Sequence, residues 1–277
     1  SDAIQRIDGL LAIRPLPETS KPVEPKDNSI AFEDVTFAYD NSESNAIDGI
    51  SLNVKAGETV ALVGPSGGGT TAAGLIARFW DVTSGEIKVG GVNVKDISKK
   101  KLNDIVAYVF QDSMLLKTSI YENVQMGRPS ASREEVMEAL HDAQCDEILA
   151  KFPQGADTVI GAKGVYLSGG EQQRIAVARV MLKNAPILVL DEATAFADPE
   201  NEAAMQRAFE KLAEGRTVVM IAHRLTTVQN ADRIYVLKEG KIAEQGTHEQ
   251  LMSKKGIYNE MYEEYRTAVT WKVGGVR

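Results

Sequence analysis

The sequence predicts an α/β fold with buried parallel strands, a β-rich first part and a helical middle. Three observations carry this. The apolar run Thr59 to Val63 leads through the glycine-rich turn Gly64-Pro65-Ser66-Gly67-Gly68-Gly69 into a helical stretch, Thr71 to Phe79. Two further runs, Ile187 to Leu190 and Val218 to Ala222, are continuously apolar, as strands buried on both faces are. From about Lys99 to Lys183 the texture is helical, with Arg133 to Ala150 the clearest helix.

The remaining elements follow in order. Ser1 to Ala12 reads as a short amphipathic helix, with Ile4, Ile7, Leu10 and Leu11 on one stripe. Arg14 to Ser29 carries Pro15, Pro17, Pro22 and Pro25 and reads as a linker. Strands are expected at Ile30-Ala31-Phe32, Val35-Thr36-Phe37, Ile50 to Val54 and Glu86 to Val94, and a helix near Glu200 to Ala213. Ile234 to Lys238 and Lys241 to Glu244, joined by Glu239-Gly240, read as a hairpin. Leu251 to Tyr265 reads as helix and Thr267 to Arg277 as a tail, and no internal repeat is found.

Composition narrows the function. The 277 residues, 43% hydrophobic and 25% charged, suit one large or two small globular domains. A net charge of −8 without a basic block argues against nucleic acid as a partner. The single cysteine, Cys145, leaves no internal disulfide framework and fits a reducing compartment. No apolar run approaches the ~18 residues of a membrane span, and the start at Ser1-Asp2 has no basic region of a signal peptide. Any membrane segment is expected in another chain or outside this sequence.

The loop Gly64 to Thr71 keeps the glycine spacing of a phosphate-binding loop, G-x-x-x-x-G-K-[ST]. Glycines let successive backbone N–H groups turn inward on phosphate oxygens, and the following helix N-terminus adds its own donors and dipole. The lysine is missing: Gly69 is followed directly by Thr70-Thr71. A second cue is Ile187-Leu188-Val189-Leu190-Asp191-Glu192, an apolar strand ending in two acids. In a phosphate-loop fold the first acid sits beside Mg2+ and the second can deprotonate an attacking water.

Leu167-Ser168-Gly169-Gly170-Glu171-Gln172-Gln173-Arg174 resembles the signature motif of ATP-binding cassette (ABC) proteins, and other motifs of that family follow in order over about Ile30 to Tyr265. The resemblance implies a P-loop (RecA-like) core with a mixed or parallel sheet, an antiparallel β subdomain and an α-helical signature subdomain. It implies that Tyr39 stacks on adenine and that Gly64, Pro65, Ser66, Gly67, Gly68, Gly69, Thr70 and Thr71 cradle the phosphates. Ser168, Gly169, Gly170 and the D-loop Asp198 would bind ATP across a head-to-tail dimer seam. Thr70, Gln111 and Asp191 would hold Mg2+, with Glu192, His223 and Gln111 catalytic. The partners implied are a second nucleotide-binding domain, identical or not, and a transmembrane domain, at the cytoplasmic face of a membrane. Residues 1–29 would be a helix and linker from that membrane domain. Residues 30–110 and 179–265 would form the ATPase core with its antiparallel β subdomain, 111–178 the helical signature subdomain, and 266–277 a tail.

The chain departs from the family pattern in four places. Arg78-Phe79-Trp80-Asp81 arrives one residue early after the loop, so the spacing fits a deleted lysine rather than a substituted one. Such a deletion rotates the helix about 100° against the loop. The intact Glu192, His223 and signature favour a lysine removed by engineering, or one that the protein carries (modified, for example) but the written sequence omits, over a natural deletion. Glu171 stands where the family usually has Gln, Ala195-Phe196-Ala197-Asp198 where Ser-Ala-Leu-Asp is common, and Ala162 where exporters often carry Glu. The linker, and Gly246-Thr247-His248-Glu249-Gln250-Leu251, resemble exporter-type cassettes. The expected function is therefore the ATPase half of a transporter. The alternatives are a half that binds nucleotide without turnover and an ABC ATPase unconnected with transport.

Overall fold

The computed structural model describes residues 15–40, 42–65, 68–110, 114–161, 165–192, 199–222 and 224–274, without the side chains of 192, 199, 200 and 268–274. The stretch read as an amphipathic N-terminal helix lies outside the described residues. In chain order the elements are β1 (Ile30–Phe37), β2 (Ile47–Val54), β3 (Thr59–Val63), α1 (Gly68–Ile76), β4 (Ser84–Val89), β5 (Val92–Asn93), α2 (Lys99–Ile105) and β6 (Val106–Val109). There follow α3 (Ile120–Gln125), α4 (Arg133–Asp142), α5 (Asp146–Ala150), α6 (Gly169–Lys183), β7 (Ile187–Glu192) and α7 (Pro199–Ala213). The last are β8 (Thr217–Ala222), β9 (Arg233–Lys238), β10 (Lys241–Gly246), α8 (His248–Lys254) and α9 (Ile257–Gly274).

The strands form two sheets. One is antiparallel, in the order β2-β1-β4-β5. The other runs β10-β9-β3-β8-β7-β6, parallel from β9 to β6, with β10 closing one edge as the antiparallel half of the expected hairpin. The apolar runs of β3, β7 and β8 are central in this sheet, which is why they lack polar alternation.

Several elements differ from the sequence reading for local reasons. The two short runs after Ser29 are one strand, β1, broken by a bulge at Asp34 (φ 48°) that resets the alternation so that Ile30, Phe32, Val35 and Phe37 are all buried. Gly85 makes that bulge possible, because a Cβ there would lie 2.2 Å from the Asp34 carbonyl. The span read as Glu86 to Val94 is the hairpin of β4 and β5. The expected helix Arg133 to Ala150 is two helices, α4 and α5, parted where Gln144 turns left-handed (φ 60°). Inside the stretch read as helical lies a strand, β6, whose brief apolar run carries no period that separates strand from helix. The helix expected over Leu251 to Tyr265 is also two, α8 and α9, and α9 continues to Gly274 through the stretch read as a tail.

Three apolar clusters support these layers. The first joins the antiparallel sheet to α1 and one face of the parallel sheet, through residues such as Phe32, Ile50, Leu75 and Ile221. The second holds α3 to α7 against the opposite face and β6, and the third seats Leu251 of α8 and Tyr258 of α9 on β8 and β9. Within the second, Asn123 is fully buried. Its Oδ1 accepts from the Leu116 N–H (2.9 Å) and Arg179 (3.0 Å), and its Nδ2 donates to the carbonyls of Leu116 and Ser119. This ties the segment after Gln111 to α3 and α6. Asn123→Ala is expected to cost about 2–4 kcal/mol, measured by urea denaturation, because it strands several buried polar groups at once.

The linker lies on the domain surface with specific attachments. Arg78 donates to the Pro17 carbonyl (2.9 Å), Lys99 to the Leu16 carbonyl (2.5 Å), and the Val23 N–H to the Asp96 carbonyl (2.8 Å). Lys101 pairs with Glu24 at 2.8 Å.

Candidate nucleotide site

The site is assembled at the carboxyl edge of the parallel strands. Leu62 of β3, Ile221 of β8 and Asp191 of β7 lie in one row across the sheet, with Glu192 beside Ala222 in the next. Two strand spacings put Asp191 roughly 10 Å from Leu62. On the far side of β7, Val109 of β6 pairs with Leu190. The strand ends that precede the glycine loop, the two acids, His223 and Gln111 thus share one edge.

From β3 the chain turns at Gly64, where a Cβ would lie 2.1 Å from the Leu237 carbonyl of β9; no other residue fits that turn. The helix expected from Thr71 begins at Gly68 instead, so Gly68 and Gly69 form its first turn, and it ends at Ile76. Gly69 is packed so closely that its Cβ would stand 3.0 Å from Ile221. This sets α1 directly on β8. The first turn carries no acid, and its N–H groups have no intrahelical acceptors, which leaves an anion-binding end. Pro65 is exposed at this turn.

The two threonines are placed differently. Thr70 is exposed, and Thr71 is 4% exposed with its hydroxyl 2.8 Å from that of Tyr39. The Thr71 hydroxyl, expected beside a phosphate, is thus engaged with the expected base-stacking ring. Tyr39 stands edge-on to Phe37 (4.9 Å) and Trp80 (5.3 Å) and stays 40% exposed. These contacts hold the ring beside α1 with surface left for a base.

Asp191 is buried at the end of β7. Tyr108 of β6 is its hydrogen-bonded neighbour. Burial pushes the Tyr108 hydroxyl well above its ordinary value, and the Asp191 charge pushes it further. Sequence reasoning missed Tyr108, although its position on the strand leading to Gln111 was the available signal. Its ring stacks on Phe110 at 4.3 Å. Ser66, Gly67, Gln111, Asp198 and His223 lie outside the described residues, as does the side chain of Glu192.

The second glycine-led helix start is at α6. Ser168 caps it, accepting the Glu171 N–H at 3.3 Å, while Glu171 accepts the Ser168 N–H at 2.7 Å. Gly169 and Gly170 supply the next two N–H groups, which have no intrahelical acceptor. Glu171 is buried, and burial alone would raise its pKa. The Lys151 ammonium and the hydrogen bonds from Ser168 outweigh burial and hold the carboxyl below its usual range. Arg174, 1% exposed, ties α6 to Glu147 of α5 (2.6 Å) and Asn201 of α7 (2.7 Å). Helix α1 packs in the first cluster and α6 in the second, so the two glycine-led helix starts belong to different layers of the chain.

A strand entering a helix through a glycine turn, with acids at the end of the next strand but one, defines a P-loop ATPase fold. The sequence model of the ABC transporter family matches residues 47–195, and the chain belongs to that family. A "Putative multidrug export ATP-binding/permease protein" of Staphylococcus aureus (strain NCTC 8325 / PS 47) is 44% identical over 244 residues, 88% of this chain and 42% of that protein. Its namesake in the bovine strain RF122 / ET3-1 is 43% identical over the same coverage. Among solved structures, a bacterial Atm1-family ABC exporter with ATP bound matches with a TM-score of 0.85 and 37% identity over 95% of this chain and 46% of that one. The chain spans less than half the length of these relatives. Among the described residues, no helix is long and apolar enough to cross a membrane.

Proposed function

We propose that this chain is the nucleotide-binding domain of an exporter-type transporter, which binds Mg-ATP between two such domains and hydrolyses it to drive transport. The observation that carries the reading is the row Leu62-Ile221-Asp191, continued by Glu192 beside Ala222, which sets the glycine loop and the acids at one edge. The donor set suits a hard divalent cation: Asp191 and Thr70, with Gln111, would hold Mg2+, which supplies charge neutralisation at the phosphates. Glu192 takes the proton of the attacking water, and His223 hydrogen-bonds the γ-phosphate. Ser168, Gly169, Gly170 and Asp198 serve the partner domain's nucleotide, which the separate packing of α1 and α6 supports. A membrane domain docks this one at the cytoplasmic face of the membrane.

The missing lysine favours a second reading, in which nucleotide binds and turnover is slow. Sedimentation with and without Mg-ATP, alongside phosphate release, separates the two. Dimer formation with steady release supports hydrolysis. Dimer formation without release supports the second reading, and no ATP-dependent dimer overturns both.

A further inference from the structure

The capping box at the signature helix has a cost that the structure offsets. Glu171 stands where a neutral Gln would serve the same cap, since either side chain can accept the Ser168 N–H. The carboxylate adds a full negative charge directly behind the N–H groups of Gly169 and Gly170, the donors left to face a phosphate. It is also poorly solvated, with its side chain 9% exposed. An uncompensated carboxylate there repels an anionic ligand and is costly to bury.

The compensating charge comes from outside the motif. Lys151, in the turn that ends α5, places its ammonium 2.5 Å from Glu171 Oε1, while Oε2 holds the Ser168 N–H at 2.7 Å. Both carboxylate oxygens are thereby engaged. Lys151 itself is 58% exposed and reaches inward from the rim.

We propose that Lys151 is a positioning residue for the partner's ATP: by neutralising Glu171 it keeps the signature end of α6 electropositive enough to accept a phosphate. This rests on the nucleotide reading above. It assigns a role in ATP-driven dimerisation to a residue outside every recognised motif.

The test is the Mg-ATP concentration needed for half-maximal dimerisation of the full chain, for Lys151→Gln, Glu171→Gln and the double variant. Lys151→Gln is expected to raise it by about fivefold, with the effect shrinking at high salt. Glu171→Gln alone is expected to lower it, because Lys151 then stands uncompensated while the cap persists. The double variant returns to within about twofold of the unsubstituted chain, the residue of two cancelling charge changes. An unchanged Lys151→Gln, or a double variant as weak as Lys151→Gln, overturns the proposal and leaves the nucleotide reading standing. The latter outcome marks Lys151 as a structural brace only. Absence of any ATP response in the unsubstituted chain overturns the nucleotide reading, and this inference with it.

Discussion

Inserting a lysine between Gly69 and Thr70 is expected to raise ATP turnover by about a hundredfold, the scale on which one preorganised cation or donor acts on developing charge. Without the lysine, the charge that α1 would offer a phosphate is that of its helix end, worth roughly half an elementary charge. A lysine adds a whole positive charge on a side chain that can follow the leaving phosphates. The insertion also displaces the threonines by one position on α1, turning them about 100°. That frees Thr71 from its 2.8 Å contact with the Tyr39 hydroxyl. Steady-state phosphate release with Mg-ATP measures the effect. Turnover that stays level in a folded variant would show that charge at this loop does not limit the reaction.

The second large effect is expected from Glu192→Gln in the lysine-bearing chain. Gln keeps the size and a hydrogen-bonding carbonyl but cannot accept the proton of an attacking water. Hydrolysis is expected to fall by about 10²–10⁴-fold, while the ATP-bound dimer persists. Single-turnover phosphate release and sedimentation together read both halves of this outcome. If phosphate release continues at the parent rate, the base lies elsewhere.

Much of the architecture was legible because its strongest signals are unambiguous. Buried parallel strands have no polar alternation, and β3, β7 and β8 were found for that reason. The glycine turn was found by its spacing, and Gly64 in it occupies a place where the Leu237 carbonyl leaves no room for a side chain. What escaped was set by tertiary contacts. Strand β6 owes its existence to pairing with β7, and its few residues alone read equally as helix. The bulge at Asp34 hid the continuity of β1, and the left-handed Gln144 split a helix that looked continuous. In the candidate site, spacing singled out the motif residues as expectations, but it gave no hint of the contacts around them. Tyr108 beside Asp191, Thr71 against Tyr39 and Lys151 behind Glu171 are meetings of distant segments without a local pattern.

The attachments of the linker bear on how a pull on the chain would reach α1. Arg78 lies just beyond α1, is buried, is anchored to Asp81 at 2.7 Å, and carries the Pro17 carbonyl on the same guanidinium. Lys99 and Lys101 pin the neighbouring linker residues to the start of α2. The incoming chain is therefore a harness with little slack rather than a leash. A pull on the described linker would be borne at Pro17 by Arg78, two residues beyond the end of α1. A rigid α1 would carry such a pull along its axis toward the glycine turn that opens it.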